Sequence, residues 1–224
     1  MEYKDYEKAF SQARLNKYLK ACGRDTVAAM SLYRHNVKLC QKFYGILNIF
    51  EVVLRNAIDE HFKSYFIDQD WIKNQLLPGG MLETHPQKAV VEKTIQDLVL
   101  KGRYTNDRLV SSVSFGFWTY LFTKKPFAAG GKTLLQVFPA KTHGLGQRAV
   151  YNYNELQVIK NFRNRIAHYE AICFDETGAI NTKPAKDNYS LVVKYVQFLG
   201  YSESHLYFGL DVLPDKILYI IDSL

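Results

Sequence analysis

Cysteine is scarce in this sequence, and the three present are poorly placed for cross-linking. Cys22, Cys40 and Cys173 are odd in number and far apart in a chain of 224 residues. No CxxC and no Cys/His ligand spacing occurs, which argues against a disulfide scaffold and against a zinc site; no cofactor is expected. Long apolar runs are missing too. The longest are broken by charges well short of the ~20 residues that a bilayer-spanning helix needs. The opening residues, Met1-Glu2-Tyr3-Lys4-Asp5-Tyr6, contain no apolar segment of the secretory kind, so a cytoplasmic protein without a membrane partner is expected. Internal repeats and low-complexity tracts are absent. Catalytic signatures of the common hydrolases are absent as well: Asp59-Glu60-His61 has no second histidine one turn on, and no GxSxG or Ser/His/Asp arrangement stands out. Gly130-Gly131-Lys132-Thr133 ends like a phosphate loop, but Pro126 stands where the motif needs its first glycine. Proline removes a backbone N–H from a loop that works through such groups, so a turn followed by a helix is expected there.

Apolar material is plentiful. Hydrophobic residues make up 47% of the chain and aromatics 14%, enough for a substantial core and incompatible with global disorder. Twenty-nine Lys and Arg against 22 Asp and Glu give a formal charge of +7, and the pI is near 9.1. Such a balance points towards a polyanionic partner without choosing among nucleic acids and membranes.

Periodicity predicts a mostly α fold with a bundle-like core and at most short strands, organised as a single domain over 1–224. Its expected segments are N-terminal helices over 5–66, a linker with helices over 67–146, and the strongest later helix with the closing helices over 147–224. Phe10, Leu15, Tyr18 and Leu19 recur at helical spacing from Tyr6 onwards, and Cys22-Gly23 ends the pattern. Asp25 is placed to cap the next helix. From Thr26 to about Phe66 no proline occurs and only Gly45 interrupts, which predicts one long helix or two bent near that glycine. Asp70–Thr84 reads as a loop around Leu77-Pro78-Gly79-Gly80, and His85–Leu100 as a helix with Pro86 in its first turn. Arg108–Phe122 is rich enough in aromatics to be buried, with Phe117 and Trp118 as core rather than as stacking platforms. Gln147 to about Tyr169 is a helix, 174–190 a loop or small hairpin, and helices over Asp187–Leu199 and Pro214–Leu224 close the chain.

One helix face carries an unusual set of side chains. With ~100° per residue and Leu156 at zero, Ile159, Phe162, Ile166 and Tyr169 fall between ~220° and ~300°, a core-facing stripe that claims Tyr169 for the interior. Gln157, Asn161, Asn164 and His168 fall at ~80–140°, near the opposite face, and Asn164 lies one turn below His168. Arg163 projects near ~340°, at the margin of the stripe. Lys124, Lys125, Lys132, Lys141, Arg148, Lys160, Arg163 and Arg165 cluster in the same half of the chain, as a path for a polyanion or as a solvated basic face.

Arg163-Asn164, three residues and His168 resemble the RNxxxH form of the Rx4-6H motif of HEPN ribonucleases. The wider order sharpens the likeness: Tyr33-Arg34-His35-Asn36, Ile49-Phe50-Glu51-Val52-Val53-Leu54-Arg55-Asn56-Ala57-Ile58, Ser114-Phe115-Gly116-Phe117-Trp118, then Arg163-Asn164-Arg165-Ile166-Ala167-His168-Tyr169-Glu170. Together these resemble the Abi-like proteins of bacterial abortive infection, including the AbiD and AbiF groups, over roughly residues 10 to 175. The resemblance implies a HEPN-like helical bundle with extra helices and a metal-independent endoribonuclease acting as a toxin-like effector in phage defence. It also implies a homodimer, and RNA both as substrate and as a regulatory non-coding partner. RNA brings its own nucleophile, the 2′-OH, so the site needs a proton acceptor and donor and a charge at phosphorus. Imidazole, with an ordinary pKa of ~6.5, serves the first need and guanidinium the second. His168 is accordingly expected as acid/base, Arg163 at phosphate and Asn164 in support, with Arg165, Lys160 and Arg148 binding RNA. Arg55-Asn56-Ala57-Ile58-Asp59-Glu60-His61 also satisfies Rx4-6H, which makes Arg55, Asn56 and His61 a second motif, although Arg55 and His61 lie ~120° apart on a helix. The alternative function is a catalytically silent RNA-binding or regulatory module.

Overall fold

The computed structural model describes residues 2–141, 148–208 and 215–223. Among them are twelve α-helices, one 3-10 turn (Leu134–Val137) and no strand, so the fold is mostly α. The helices are α1 (Tyr3–Phe10), α2 (Gln12–Ala21), α3 (Thr26–Phe66), α4 (Trp71–Gln75), α5 (Lys88–Leu100), α6 (Asn106–Ser112), α7 (Phe115–Tyr120) and α8 (Lys124–Ala129). They continue with α9 (Ala149–Ala167), α10 (Lys183–Phe198), α11 (Glu203–Leu206) and α12 (Asp215–Asp222). Gln147 and Pro214, the expected starts of two helices, lie outside the described residues. The chain forms two compact units, one from Met1–Asn48, Asn161–Val192 and Tyr207–Leu224, the other from Ile49–Lys160 and Val193–Leu206. Neither coincides with the segments expected from the sequence, because α3, α9 and α10 each give residues to both.

In the first unit the single helix expected over Tyr6–Leu19 is two. Ser11 takes φ +69°, which no helix accommodates, and its hydroxyl accepts the Arg14 N–H at 3.4 Å to start α2. Asp25 caps α3 as its position predicts, its Oδ1 accepting from the N–H groups of Val27 and Ala28 at 2.8 and 3.1 Å. Helix α3 continues through Gly45. The ~1 kcal/mol cost of a helical glycine is outweighed by the burial of Phe43, Ile46 and Leu47 beside it. Phe43 meets Phe162 edge-on at 5.0 Å, and Tyr18 meets Phe174 at 5.2 Å. Such pairs add about 1 kcal/mol beyond the burial of the rings. Asn36 is only 3% exposed. It is satisfied there because its Oδ1 accepts the Ile172 N–H at 2.9 Å, which holds the segment after α9 against α3. The hairpin expected within 174–190 is a single antiparallel bridge between Phe174 and Ile180. Helix α10 begins at Lys183, before the expected Asp187, and Asn181 Oδ1 accepts the N–H of that first residue at 2.9 Å.

In the second unit the aromatic segment is buried as expected, with Phe115, Phe117, Trp118, Leu121 and Phe122 all in the core. The loop expected over Asp70–Thr84 contains the short helix α4, whose Trp71 and Ile72 are fully buried. Gly130 and Gly131 form a turn, with Gly131 at φ +68° and closed over by Tyr65, so the segment cradles no phosphate. His85 is buried between Phe117 and Tyr120, both at 4.6 Å. Its Nδ1 accepts the Gln87 N–H at 3.0 Å, so a second ring proton has no place, and burial pushes its pKa down from 6.5 to about 4. The unfolded chain therefore takes up this proton first. Stability is complete above pH 6.5 and is lost as pH falls towards 4, by about 2–3 kcal/mol from this group. Urea midpoints measured across that window should fall in the wild type and flatten in His85→Gln; equal slopes in both refute the assignment.

Candidate functional site

Helix α9 ends in a way that exposes its last side chains. The N–H of His168 bonds to the Asn164 carbonyl at 2.9 Å, that of Tyr169 to Ile166 at 3.0 Å and that of Glu170 to Arg165 at 2.9 Å. The last two bonds are the crossed pair of a Schellman end, with Tyr169 in the left-handed position at φ +59°. Tyr169 is consequently not a core residue: it is 77% exposed, because angles counted along a helix stop applying once the helix has ended. His168, the residue before it, is exposed.

Four side chains hold the segment after this helix end. Arg14 Nη1 donates to the Tyr169 carbonyl at 3.1 Å, and Arg165 Nη2 to the Ala171 carbonyl at 2.6 Å. The Cys40 thiol faces the Glu170 carbonyl at 3.9 Å, and the Asn36 amide oxygen holds Ile172. Burial pushes the Cys40 thiol up to about 11 and the Cys173 thiol up to about 12, so neither supplies a thiolate nucleophile.

This scaffold borders an open cleft of about 480 Å³ lined by Ser11, Arg14, Lys17, Arg165, His168 and Glu170 among others. Three permanent cations thus face one carboxylate, and that carboxylate pairs with Arg165 at 3.4 Å. Arg14 and Lys17 are residues that sequence reasoning missed. The available signal was their i, i+3 spacing on α2, which puts both on one face of that helix.

The other expected site residues are placed differently. Asn164 supports His168 through its backbone carbonyl; no bond between their side chains occurs among the described residues. Arg163 is half-buried, engaged in contacts of its own, and does not line the cleft. Lys160 and Arg148 belong to the second unit, Lys160 half-buried with its Cδ near Gly116 and Arg148 exposed at the start of α9. Lys141 turns inward: its ammonium lies 5.0 Å from the rings of both Phe138 and Phe198, and burial lowers its pKa to about 8.

The second motif also belongs to the second unit. His61 Nε2 bonds to Thr133 Oγ1 at 2.9 Å, and since that hydroxyl donates to the Gly130 carbonyl, the imidazole is the donor. Burial lowers the pKa of His61. Asn56 is exposed, and Arg55 keeps its Nε buried without a partner. No hydrogen bond joins His61 to Arg55 or Asn56 among the described residues.

The described residues contain no group of three or more His, Cys, Asp or Glu side chains arranged to hold a metal ion, and no helix long and apolar enough to cross a membrane. Fold and site together define a mostly α-helical protein that presents a histidine, at a helix C-terminus, to a cationic cleft. No known protein-family model, curated protein or solved structure matches the chain.

Proposed function

We propose that this chain is an Abi-like HEPN endoribonuclease, a cytoplasmic toxin-like effector of phage defence that cleaves RNA by attack of the 2′-OH. The observation that supports it most is the exposed His168 on the cleft shared by Arg14, Lys17 and Arg165. A phosphodiester seated there meets a net positive charge, three cations against the single carboxylate of Glu170. His168 takes the proton of the 2′-OH as the new 2′-O–P bond forms, and the leaving 5′-oxygen takes a proton from water as the P–O5′ bond breaks. The products are a 2′,3′-cyclic phosphate, opening to a 3′-phosphate, and a 5′-hydroxyl. In this reading the phosphate-binding role expected of Arg163 passes within one chain to Arg14 and Lys17. A homodimer belongs with this function, and full activity from a species of monomeric mass in light scattering refutes it.

The test compares a single-stranded RNA with the same sequence made entirely of 2′-deoxynucleotides, both in EDTA. Cleavage of the RNA alone, leaving cyclic phosphate ends, is the expected result. Cleavage of both strands excludes 2′-OH attack, and tight binding without cleavage of either identifies a silent RNA-binding module.

A further inference from the structure

Beside the cationic cleft, and sharing Arg14 and Tyr169 with it, lies a groove of about 400 Å³ lined by Tyr33, Val37, Tyr44 and Ile166. All of these residues belong to the first unit. Tyr44 is 59% exposed and Val37 38% exposed, so the groove presents apolar and aromatic surface to solvent. Polar edges are few. Asn36 is committed to Ile172, which leaves Gln41 as the lining side chain with amide groups to offer.

Tyr169 is the most unusual of these residues. A left-handed backbone costs a residue bearing a Cβ about 1–2 kcal/mol, and the position it fills at a Schellman end is one that glycine usually takes. At 77% exposure the residue gains little burial in exchange. An exposed aromatic ring held at that cost, where a cationic cleft meets an aromatic groove, suits a ligand that is anionic at one end and flat and aromatic at the other.

We propose that the groove receives a nucleobase next to the phosphate held in the cleft, with Tyr169 as its stacking platform and Tyr44 as a second wall. Because the groove offers ring faces and few hydrogen-bonding edges, the base is held by its π-face and the preference among the four bases is weak. This rests on RNA being the ligand of the cleft.

The experiment measures binding of two non-cleavable 2′-O-methyl strands to the full chain by fluorescence anisotropy, one of mixed sequence and one abasic throughout. The wild type should bind the strand with bases at least about tenfold more tightly. Tyr169→Gly should lose most of that preference while binding the abasic strand as before, and Tyr169→Phe should keep it. Glycine accepts φ +59° freely, so the thermal transition of Tyr169→Gly should not fall. Tyr44→Ala, at an ordinary helical position, should weaken the same preference. Wild-type preference in both Tyr169→Gly and Tyr44→Ala overturns the proposal. A change in oligomeric mass with RNA binding intact overturns it in favour of a contact between copies of the chain. If the wild type binds both strands equally, the base subsite fails and the RNA function stands; if it binds neither, both fail.

Discussion

His168→Ala should lower the single-turnover rate of RNA cleavage by two to four orders of magnitude while leaving RNA affinity within a few-fold of wild type. A positioned acid or base contributes about 10²–10⁴ to such a step, or about 3–5 kcal/mol of barrier. In the proposed function affinity rests instead on Arg14, Lys17 and Arg165, which the substitution leaves in place. The backbone of residue 168 also survives, since its N–H bond to Asn164 and the crossed bonds after it involve no imidazole atom. Loss of rate therefore reports the proton transfer and not a disordered helix end. Quenched-flow rates with excess enzyme, beside anisotropy on a non-cleavable strand, separate the two quantities. A variant that cleaves at the wild-type rate removes His168 from the chemistry, and one that fails to bind makes it a phosphate contact.

The largest effect on stability is expected at Asp59. This carboxylate is 6% exposed and accepts from Trp71 Nε1 at 2.8 Å and Asn106 Nδ2 at 3.2 Å, while Lys63 pairs with it at 2.7 Å. Asp59→Ala leaves the indole N–H of the fully buried Trp71 without an acceptor and removes the closer partner of Lys63. Asp107, at 3.6 Å and largely exposed, is a weaker partner for that lysine. Removing one member of a buried charged network costs about 3–5 kcal/mol, chiefly through the groups left behind. Chemical denaturation should show that loss. Asp59→Asn should lose less, since its carbonyl still accepts from Trp71. A loss below about 1 kcal/mol in Asp59→Ala would show that water replaces the carboxylate.

Asp59 also shows where the sequence stops being informative. It lies between Arg55 and His61, where a motif match drew attention to the two ends, yet the residue that organises this stretch is the carboxylate between them. Its partners Trp71 and Asn106 are distant in sequence and no periodicity announces them. What periodicity reports well is a face. The burial of Phe43, Phe50, Leu54 and Ile58 along α3, and of Ile159, Phe162 and Ile166 along α9, follows from spacing alone. Helix ends are less legible. Ser11 and Tyr169 take left-handed φ values that their side chains do not advertise, so α1 and α2 read as one helix and Tyr169 as core. Half of the candidate site was legible, because His168 and Arg165 lie together on one helix. Arg14 and Lys17 were not, because they reach the cleft only when α2 packs beside the end of α9.

The bond from Arg14 to the carbonyl of Tyr169 joins positions 155 residues apart. On a translating ribosome the two halves of the cleft are made far apart in time: α2 emerges early, and its counterpart exists only after residue 171 has been added. A truncated product released before residue 168 has the cations of α2 but no His168 beside them. Synthesis order by itself thus keeps every chain that stops short of residue 168 without the assembled cleft.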